Sequence, residues 1–335
     1  MACDIIIPVY NRKDLTKGCL ESIYANTEIP FRLILIDNNS GPETRNYLED
    51  FTAKHQNSVL VKNAENLGWV KAVNKGMKLS DAGYILLINN DTVVRTVGWL
   101  SKLIKVTDMH TDIGLVNPHF QSKVEAFPGS PFVETDFCRG YCILIKRSVI
   151  EKIGLLDEAY GLGYYDDDDY SVRAIRAGFR CVRANNVFVE HLGDSTFSDI
   201  FRDEKRRALH EANKQLFYSK WGRRLRLLFV LTAGVDKKTA SGLFFSLARR
   251  QHIINLWNAG EPLLLEHINI REHRLSSMSY ISLLTDLSLN MFKRKTKRYD
   301  MIFVNLKDTG RIIDLVDSKS KNSNAVRSTQ YAVRI

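Results

Sequence analysis

The sequence lacks the features that mark membrane-spanning, disulfide-bonded and zinc-binding proteins. No apolar run approaches the roughly 20 residues that a helix needs to cross a bilayer. The N-terminus enters "CDIIIPVY" without a charged leader. The cysteines, Cys3, Cys19, Cys138, Cys142 and Cys181, are odd in number, form no CxxC pair and have no histidine at zinc-ligand spacing. We therefore expect free, buried thiols and a protein of the reducing cytosol.

Glycine loops of the known phosphate-binding types and internal repeats are also missing. Neither a GxGxxG fingerprint nor a Walker A loop is present. Residues 66–76, "NLGWVKAVNKG", offer Asn66 and Gly68 at a helix start, with Lys71 and Asn74 following. Backbone N–H groups at a helix start and a nearby lysine can bind a phosphate, but this segment alone does not identify such a site.

Charge is distributed unevenly along the chain. Residues 1–200 hold 22 Lys and Arg against 26 Asp and Glu, a net charge of −4, whereas residues 201–335 hold 26 against 12, a net charge of +14. A basic segment can bind nucleic acid or an anionic membrane surface, while clustered carboxylates are typical of metal-dependent chemistry. Residues 1–200 and residues 201–335 are therefore expected to bind different partners.

The first half of the chain alternates apolar β-type runs with helical patterns. Strands are predicted over residues 4–10, 31–40, 58–63 and 84–91, and helices over 12–26, 42–55 and 68–80. Strands that are apolar along their whole length are covered on both faces, which indicates a mostly parallel sheet flanked by helices. Ligands bind such sheets beyond the carboxyl ends of their strands.

The pattern changes in the later part of the chain. After about residue 113 the sheet is expected to become mixed, and the helix after the aspartates to end at Gly178. A long basic helix is predicted over 203–226. The segments 225–231, 242–258 and 299–306 can form a small α/β unit or helices packed on the first domain. We predict a catalytic domain over residues 1–221 and a basic extension or small α/β domain over 222–335.

Two strand-end acids and one histidine are candidate ligand-binding residues. Asp91 closes the apolar strand of "LLINNDTVV" and is suited to a hard divalent cation, although an Asx-turn explains it as well. Asp37 ends the second strand and could accept a hydrogen bond from a nucleotide, or again form a turn. His191 follows an alternating strand, where a histidine is more often structural than a metal ligand.

Four consecutive aspartates, Asp166 to Asp169, precede a helical pattern. Carboxylates in the first turn of a helix interact favourably with its dipole by roughly 0.3–1 kcal/mol each, which offsets part of their repulsion. A purely structural helix start therefore remains one interpretation. The other is that neighbouring charges raise the pKa of one carboxylate, which then acts as a general base.

Seven segments occur in an order that is found in one enzyme family. They are "IIIPVYNR" (5–12), "LILIDNNS" (33–40), "NLGWVKAVNKG" (66–76), "LLINNDT" (86–92), "GYCILIKR" (140–147), "YYDDDDYSVRAIRAG" (164–178) and "VEHLGDST" (189–196). The chain resembles, over about residues 4–221, the family 2 glycosyltransferases of the nucleotide-sugar-binding GT-A fold, particularly their rhamnosyltransferase-like branch.

The resemblance implies an inverting transfer from a nucleoside diphosphate sugar, assisted by Mg²⁺ or Mn²⁺. By position, the residues that would bind the sugar nucleotide are Pro8, Tyr10, Arg12, Asp37, Asn66, Gly68, Lys71, Asn74, Asn89 and Asn90. Asp91 would be the metal ligand of the family's Asp-x-Asp motif. Because Asn89 replaces the first acid of that motif, metal affinity can depend more on Asp91 and His191.

The resemblance also assigns roles within the aspartate run. The family's Glu-Asp pair falls on Asp166 and Asp167, so Asp167 would be the general base and Asp166 would border the acceptor. Asp166 replaces the glutamate, and Asp168 replaces the apolar residue that usually follows. A shift of one residue would make Asp168 the base, and that alternative stays open.

The predicted function is the synthesis of a cell-surface polysaccharide or glycolipid at the cytoplasmic face of a membrane, on a saccharide or polyprenyl-linked acceptor. Residues 288–298, "SLNMFKRKTKR", are either a membrane-contacting patch or a solvated basic helix. No nucleic-acid partner is expected. One alternative is a non-catalytic subunit that binds sugar nucleotides within an assembly complex. A nucleotidyltransferase fits less well, because its glycine-rich N-terminal loop is missing.

Overall fold

The computed structural model describes residues 3–119, 129–192, 204–232, 235–276, 283–284, 298–306, 308–321 and 332–334. The chain divides into two compact units between Gln215 and Leu216. The predicted domain boundary after residue 221 and the roles given to the two parts stay predictions.

The first unit alternates strands and helices along the chain. Its described strands are β1 (Cys3–Val9), β2 (Phe31–Asp37), β3 (Ser58–Lys62), β4 (Tyr84–Ile88), β5 (Thr92–Val94), β6 (Ile113–His119), β7 (Phe132–Thr135), β8 (Cys142–Lys146) and β9 (Arg180–His191). Its described helices are α1 (Lys13–Asn26), α2 (Pro42–Lys54), α3 (Gly68–Lys78), α4 (Trp99–Asp108), α5 (Arg147–Ile153), α6 (Asp166–Arg176) and most of α7 (Glu204–Trp221).

The described strands of this unit form one mixed sheet, in the order β3-β2-β1-β4-β8-β6-β9-β5 with β7 beside β9. The first four strands are parallel to one another, and β8 runs antiparallel between β4 and β6. Ile5, Ile7, Leu33 and Leu35 are fully buried in the core, and burial of each such side chain stabilises the fold by about 1.5–3 kcal/mol. The predicted α/β architecture with a mixed sheet is confirmed.

The strand register determines which loops meet at the carboxyl edge of the sheet. Val9 at the end of β1 is paired with Asp37 at the end of β2. Ile88 at the end of β4 is paired with Cys142 at the start of antiparallel β8. The chain then turns into β5, which pairs with β9 and aligns Thr92 with His191. These pairings bring the segments 10–12, 38–41, 89–91, 140–141 and the end of β9 to one edge.

The second unit contains a parallel sheet. Its described elements are β10 (Arg226–Leu231), α8 (Lys237–Arg249), β11 (Ile253–Asn258), β12 (Ile270–Arg274), β13 (Met301–Val304), α9 (Thr309–Lys321) and β14 (Ala332–Arg334). The strand order β12-β11-β10-β13-β14 reverses direction between β10 and β13, as in doubly wound α/β sheets. Phe229 is fully buried in its core and stacks on Phe303, with ring centroids 4.8 Å apart.

Two predictions about local structure can be compared with these elements. The helix after the aspartates ends as expected, since Gly178 has a φ of +93° and its N–H donates to the carbonyl of Ile175. The helix predicted over 203–226 is too long, because α7 ends at Trp221 and β10 begins at Arg226. Between them Gly222 has a φ of +84°, which is not helical. Residues 288–297 of the predicted basic patch lie outside the described residues.

Within the described residues, no helix combines enough length with enough apolar character to cross a bilayer. All five cysteines fall in the described ranges, and each is buried with a free thiol, as predicted.

Candidate active site

Asp37, at the carboxyl end of β2, has a buried and hydrogen-bonded carboxylate. Its side chain is 1% exposed, and its Oδ1 accepts a hydrogen bond from the backbone N–H of Ser40 at 2.9 Å. Its Oδ2 lies 3.7 Å from Nε of Arg45, which reaches back from α2. The turn that the sequence allowed at Asp37 is therefore present, and Arg45 adds an ion pair to it.

The segment after β1 is fastened to the same turn. The backbone N–H of Asn11 donates to Oγ of Ser40 at 2.9 Å, and Oδ1 of Asn11 accepts from the N–H of Gly41 at 2.8 Å. Asn11 and Arg12 both have positive φ, 57° and 59°. Tyr10 and Arg12 are exposed here, whereas Pro8 is buried within β1. Of these three predicted residues, the two that follow β1, Tyr10 and Arg12, thus border the open edge of the sheet.

The start of α3 joins this edge through a chain of amide side chains. Gly68 donates its N–H to Oδ1 of Asn66 at 2.9 Å, and its carbonyl accepts from Nδ2 of Asn38 at 3.2 Å. Asn38 in turn accepts at Oδ1 from Asn63, which accepts from Nζ of Lys75. The predicted Asn66 and Gly68 therefore belong to the same edge as Asp37.

The other two predicted residues of α3 differ in their surroundings. Lys71 is exposed. Asn74 is 2% exposed, and its amide bonds both the N–H and the carbonyl of Leu156, at 3.0 and 2.9 Å. Asn74 therefore fastens α3 to the 154–158 loop.

Asp91 and His191 meet at the turn between β4 and β5. Oδ1 of Asp91 lies 3.2 Å from Nε2 of His191, and Nδ2 of Asn89 lies 3.3 Å from the same nitrogen. The His191 ring stacks on Tyr141, with centroids 5.3 Å apart. Asn90 points elsewhere, because its amide donates to Oγ1 of Thr16 on α1 at 2.9 Å.

The Asp91–His191 pair fits a divalent cation. Oδ1 of Asp91 is buried and accepts no hydrogen bond from the described part of the chain, which leaves its lone pairs available. A carboxylate and an imidazole can both coordinate a divalent transition metal such as Mn²⁺. Mg²⁺ is commonly bound by one or two carboxylates together with substrate phosphates. The described residues contain no cluster of three or more His, Cys, Asp or Glu that could hold a metal, so further ligands would have to come from the substrate, water or amide oxygens.

Asp167 lies in the first turn of α6 with both carboxylate oxygens occupied. Oδ2 accepts from the backbone N–H of Gly140 at 2.7 Å, and Oδ1 accepts from the N–H of Asp168 at 3.0 Å. Burial raises the pKa of Asp167, and the hydrogen bond from Gly140 opposes that rise. A half-buried carboxylate with a raised pKa is suited to general-base chemistry.

Asp166 is the more deeply buried member of the pair, 4% exposed. Its Oδ2 has no hydrogen-bond partner among the described residues. Burial, followed by the charge of Asp167, raises the pKa of Asp166 well above its ordinary value. The two adjacent carboxyls therefore do not ionise independently.

Asp168 and Asp169 have different surroundings. Asp168 is half-buried. Asp169 is 1% exposed, and accepts from the hydroxyl of Tyr160 at 3.1 Å and from Nε of Arg173 at 2.9 Å. Because Arg173 also donates to the carbonyls of Ile153 and Leu155, the fourth aspartate has a structural role.

The structure adds contributors that were not singled out in the sequence. Gly140 and Tyr141 were present in a family segment but had no role assigned to them. Tyr164 and Tyr165, just before α6, have φ of 71° and 66°, a conformation that costs about 1–2 kcal/mol for a residue with a side chain. No sequence signal indicates it, since aromatic residues rarely adopt positive φ.

Comparison with known proteins gives a family and a fold. Residues 4–154 match the family model described as Glycosyl transferase family 2. Poly(ribitol-phosphate) beta-glucosyltransferase of Bacillus spizizenii is 31% identical over 98 residues, which cover 28% of this chain and 15% of that protein. O-antigen biosynthesis protein RfbC of Myxococcus xanthus is 26% identical over 253 residues, 64% of this chain and 18% of that protein. The chain thus spans less than a fifth of the length of these two relatives.

A solved structure supports the fold. The crystal structure of GalNAc-T7 with UDP, GalNAc and Mn²⁺ superimposes with a TM-score of 0.51 at 14% identity, over 65% of this chain and 50% of that one. The rhamnosyltransferase-like branch stays a prediction. Residues 4–154, which run from β1 to α5, therefore match glycosyl transferase family 2, and the mixed sheet of the first unit has the GT-A fold.

Proposed function

We propose that the first unit transfers a sugar from a nucleoside diphosphate sugar to an acceptor hydroxyl, with inversion at the anomeric carbon. The observation that carries this proposal is that Oδ1 of Asp91, which accepts no hydrogen bond from the described residues, lies 3.2 Å from the His191 imidazole at one edge of the sheet. Asp167, the proposed general base, is linked to that pair through Gly140 and Tyr141.

Asp37 and the amide chain around Gly68 would bind the nucleoside side of the sugar donor. Asp37 offers a hydrogen-bonded carboxylate at the end of β2. Gly68 joins the same edge through Asn38, the residue after Asp37, and Asn66 bonds the N–H of Gly68. The remaining predicted contacts, from Pro8, Tyr10, Arg12, Lys71, Asn74, Asn89 and Asn90, stay proposals of the same kind.

Asp91 and His191 would hold a divalent cation, Mg²⁺ or Mn²⁺, beside the diphosphate. Such a cation, when bound, supplies positive charge that stabilises the leaving diphosphate. Mn²⁺ is present in the GalNAc-T7 structure. Asp167 would take the proton of the acceptor hydroxyl as its oxygen attacks the face of the sugar opposite the diphosphate. The bond to the anomeric carbon forms as the bond to the diphosphate oxygen breaks.

The names of the relatives support a role in cell-surface polysaccharide synthesis. One is a poly(ribitol-phosphate) beta-glucosyltransferase and another an O-antigen biosynthesis protein. Because these names refer to poly(ribitol-phosphate) and to O-antigen, we propose a saccharide or lipid-linked acceptor of cell-surface polysaccharide synthesis for this chain. Contact of the basic patch, residues 288–298, with a membrane also stays a proposal, and residues 288–297 lie outside the described residues.

Transfer assays with UDP-, GDP- and dTDP-sugars and Mn²⁺ or Mg²⁺ test the activity. Asp167→Asn is expected to lower transfer at least about 100-fold, the usual scale for loss of a general base, while nucleotide binding by calorimetry is retained. Asp168→Asn is the matched control, and is expected to keep transfer. The reverse result would make Asp168 the base.

The metal assignment is tested separately. Asp91→Ala should remove the dependence of nucleoside diphosphate binding on Mn²⁺. Binding that is indifferent to both Mn²⁺ and this substitution contradicts the site. If nucleotide binds with metal but no sugar is transferred or hydrolysed with any of these sugar donors, the non-catalytic subunit becomes the better description.

A further inference from the structure

Asn213 on α7 bonds the turn that precedes the proposed catalytic helix. Its side chain is 5% exposed, and its Nδ2 lies 2.8, 2.7 and 3.2 Å from the carbonyl oxygens of Tyr160, Gly163 and Tyr164. Three acceptors around one atom require the amide nitrogen there, since an oxygen at that position could accept no hydrogen bond from them. Asn213 therefore ties three carbonyls of residues 160–164 to α7.

The turn that Asn213 bonds is backbone of an unusual kind. Tyr164 and Tyr165 both have left-handed conformations, with Tyr165 as the N-cap residue of α6. Successive left-handed residues that are not glycine persist only where their surroundings hold them. His210, one turn before Asn213 on α7, packs against both rings, with centroids 5.7 and 5.4 Å away.

The direction in which α6 starts depends on this turn. Asp166 and Asp167 follow the two tyrosines directly, and Asp167 must point at the N–H of Gly140 to make its 2.7 Å bond. The carbonyl of Tyr165 accepts from the N–H of Asp169, which makes it part of the first helical turn. A relaxation of either tyrosine to negative φ would rotate this turn and move the carboxylate.

We propose that Asn213 is a positioning residue for the general base: α7 holds the left-handed tyrosines so that Asp167 faces the acceptor. Asn213 lies outside residues 4–154, which match the family model, and its Nδ2 bonds carbonyls of residues 160–164. The catalytic role of Asp167 comes from the proposed function, on which this inference rests.

The test uses Asn213→Asp in the full chain, since aspartate keeps the shape of asparagine but has no N–H when ionised. Asn213→Ser is a second variant that keeps one donor. Asn185→Ala is the matched control, because Asn185 is also buried and donates its amide to a carbonyl, that of Ser130, at 2.9 Å. The rate is divided by the concentration of protein that binds nucleotide, which calorimetry measures. A loss of folded protein is then not counted as a loss of catalysis.

Asn213→Asp is expected to lower kcat about 100-fold, the effect of a catalytic group misplaced by roughly 1 Å, with the KM for the sugar donor unchanged. Asn213→Ser should lie between it and the wild type, and Asn185→Ala should keep the wild-type kcat. Amide hydrogen exchange over residues 160–170 should become faster in Asn213→Asp and not in Asn185→Ala.

Wild-type kcat in Asn213→Asp overturns the inference, as does unchanged exchange over residues 160–170. A wild-type enzyme that transfers no sugar contradicts the proposed function instead. In that case the exchange measurement alone decides whether Asn213 holds the turn.

Discussion

The backbone N–H of Gly140 donates a hydrogen bond to Oδ2 of Asp167 at 2.7 Å. The next residue, Tyr141, accepts a hydrogen bond at its carbonyl from the N–H of Asn89 and stacks its ring on His191. Two successive residues before β8 therefore contact the proposed base on one side and the proposed metal site on the other. Because Gly140 and Tyr141 are adjacent, a single peptide unit joins the two sites.

Removing that N–H should change the pH at which the enzyme works. The Gly140 hydrogen bond lowers the pKa of Asp167 against the rise caused by burial. In Gly140→Pro the residue has no N–H, so the pKa of Asp167 rises further. Since a base must be ionised to accept a proton, the acid limb of the pH–rate profile should move to higher pH.

Gly140→Ala is the control for this prediction. It keeps the N–H, and a Cβ at this position would lie 3.4 Å from Oδ2 of Asp167, a contact that small adjustments relieve. Its acid limb should stay at the wild-type pH. An acid limb that is the same in all three proteins would contradict the role of this bond.

Asp166→Asn is expected to stabilise the fold while it lowers activity. The pKa of Asp166 is raised in the folded state, so its protonated form is favoured there. Its contribution to stability is complete below the unfolded pKa of about 3.9 and is lost as pH rises through the folded value. An amide is neutral at every pH, so the free energy of unfolding at pH 7.5 should increase by about 1–3 kcal/mol.

Urea denaturation at pH 7.5 and pH 5 checks the sign, and the gain should be smaller at pH 5. Asp169→Asn serves as the contrasting variant. It weakens the bonds to Tyr160 and Arg173, and should lower stability at both pH values by about 1.5–3 kcal/mol, the usual contribution of a hydrogen bond to a charged group. A gain in Asp166→Asn that is larger at pH 5 than at pH 7.5 would contradict the raised pKa.

The local sequence pattern predicted those parts of the fold that depend on neighbouring residues. The apolar strands 4–10 and 84–91 and the helix start at Gly68 were found within a few residues. The meeting of Asp91 with His191 depends on the register of β5 against β9, and a hundred residues separate the two in sequence. The family resemblance supplied that pairing, because no spacing rule could.

Other features had no local signal at all. The left-handed conformations of Tyr164 and Tyr165 are held by Asn213 and His210, about fifty residues later. Local propensity alone disfavours such a turn, so it could not be predicted from residues 160–170. The strand order of the second unit likewise depends on long-range pairing between β10 and β13, which apolar runs do not encode.

Gly68→Ala should weaken nucleotide binding and stability together. Gly68 has a φ of +76°, and a Cβ there would lie 2.7 Å from Cδ2 and 3.0 Å from Cα of Leu162. The backbone conformation alone costs a residue with a side chain about 1–2 kcal/mol. Displacement of this segment would also disturb its bonds to Asn38 and Asn66.

Calorimetry with a nucleoside diphosphate and thermal denaturation measure the two effects. In Gly68→Ala combined with Leu162→Ala only part of the loss should be recovered, because the contact with Cα and the positive φ remain. Gly18→Ala is the control in helix α1, where a Cβ meets no atom within 4 Å; it should be neutral or stabilising. Full recovery in the double variant would show that φ does not matter here.

The second unit should lose stability in mild acid through His252. This side chain is 2% exposed and accepts a hydrogen bond at Nδ1 from the N–H of Leu225 at 3.2 Å. Burial lowers the pKa of His252 from 6.5 to about 4, so below pH 6.5 the unfolded chain binds a proton that the folded chain does not. The stabilisation is complete above pH 6.5 and declines by about 3 kcal/mol as pH falls to about 4.

Denaturation of the full chain by urea at pH 7.5 and pH 4.5 measures this decline. In His252→Asn the side-chain oxygen can still accept from Leu225 but does not titrate, so the difference between the two pH values should shrink. His210→Asn, at a partly exposed histidine of the first unit, is the control for replacing a histidine by asparagine. An equal decline of stability in the wild type and in His252→Asn would assign the acid sensitivity to other groups. The next group to test is His267, because burial lowers its pKa to about 3.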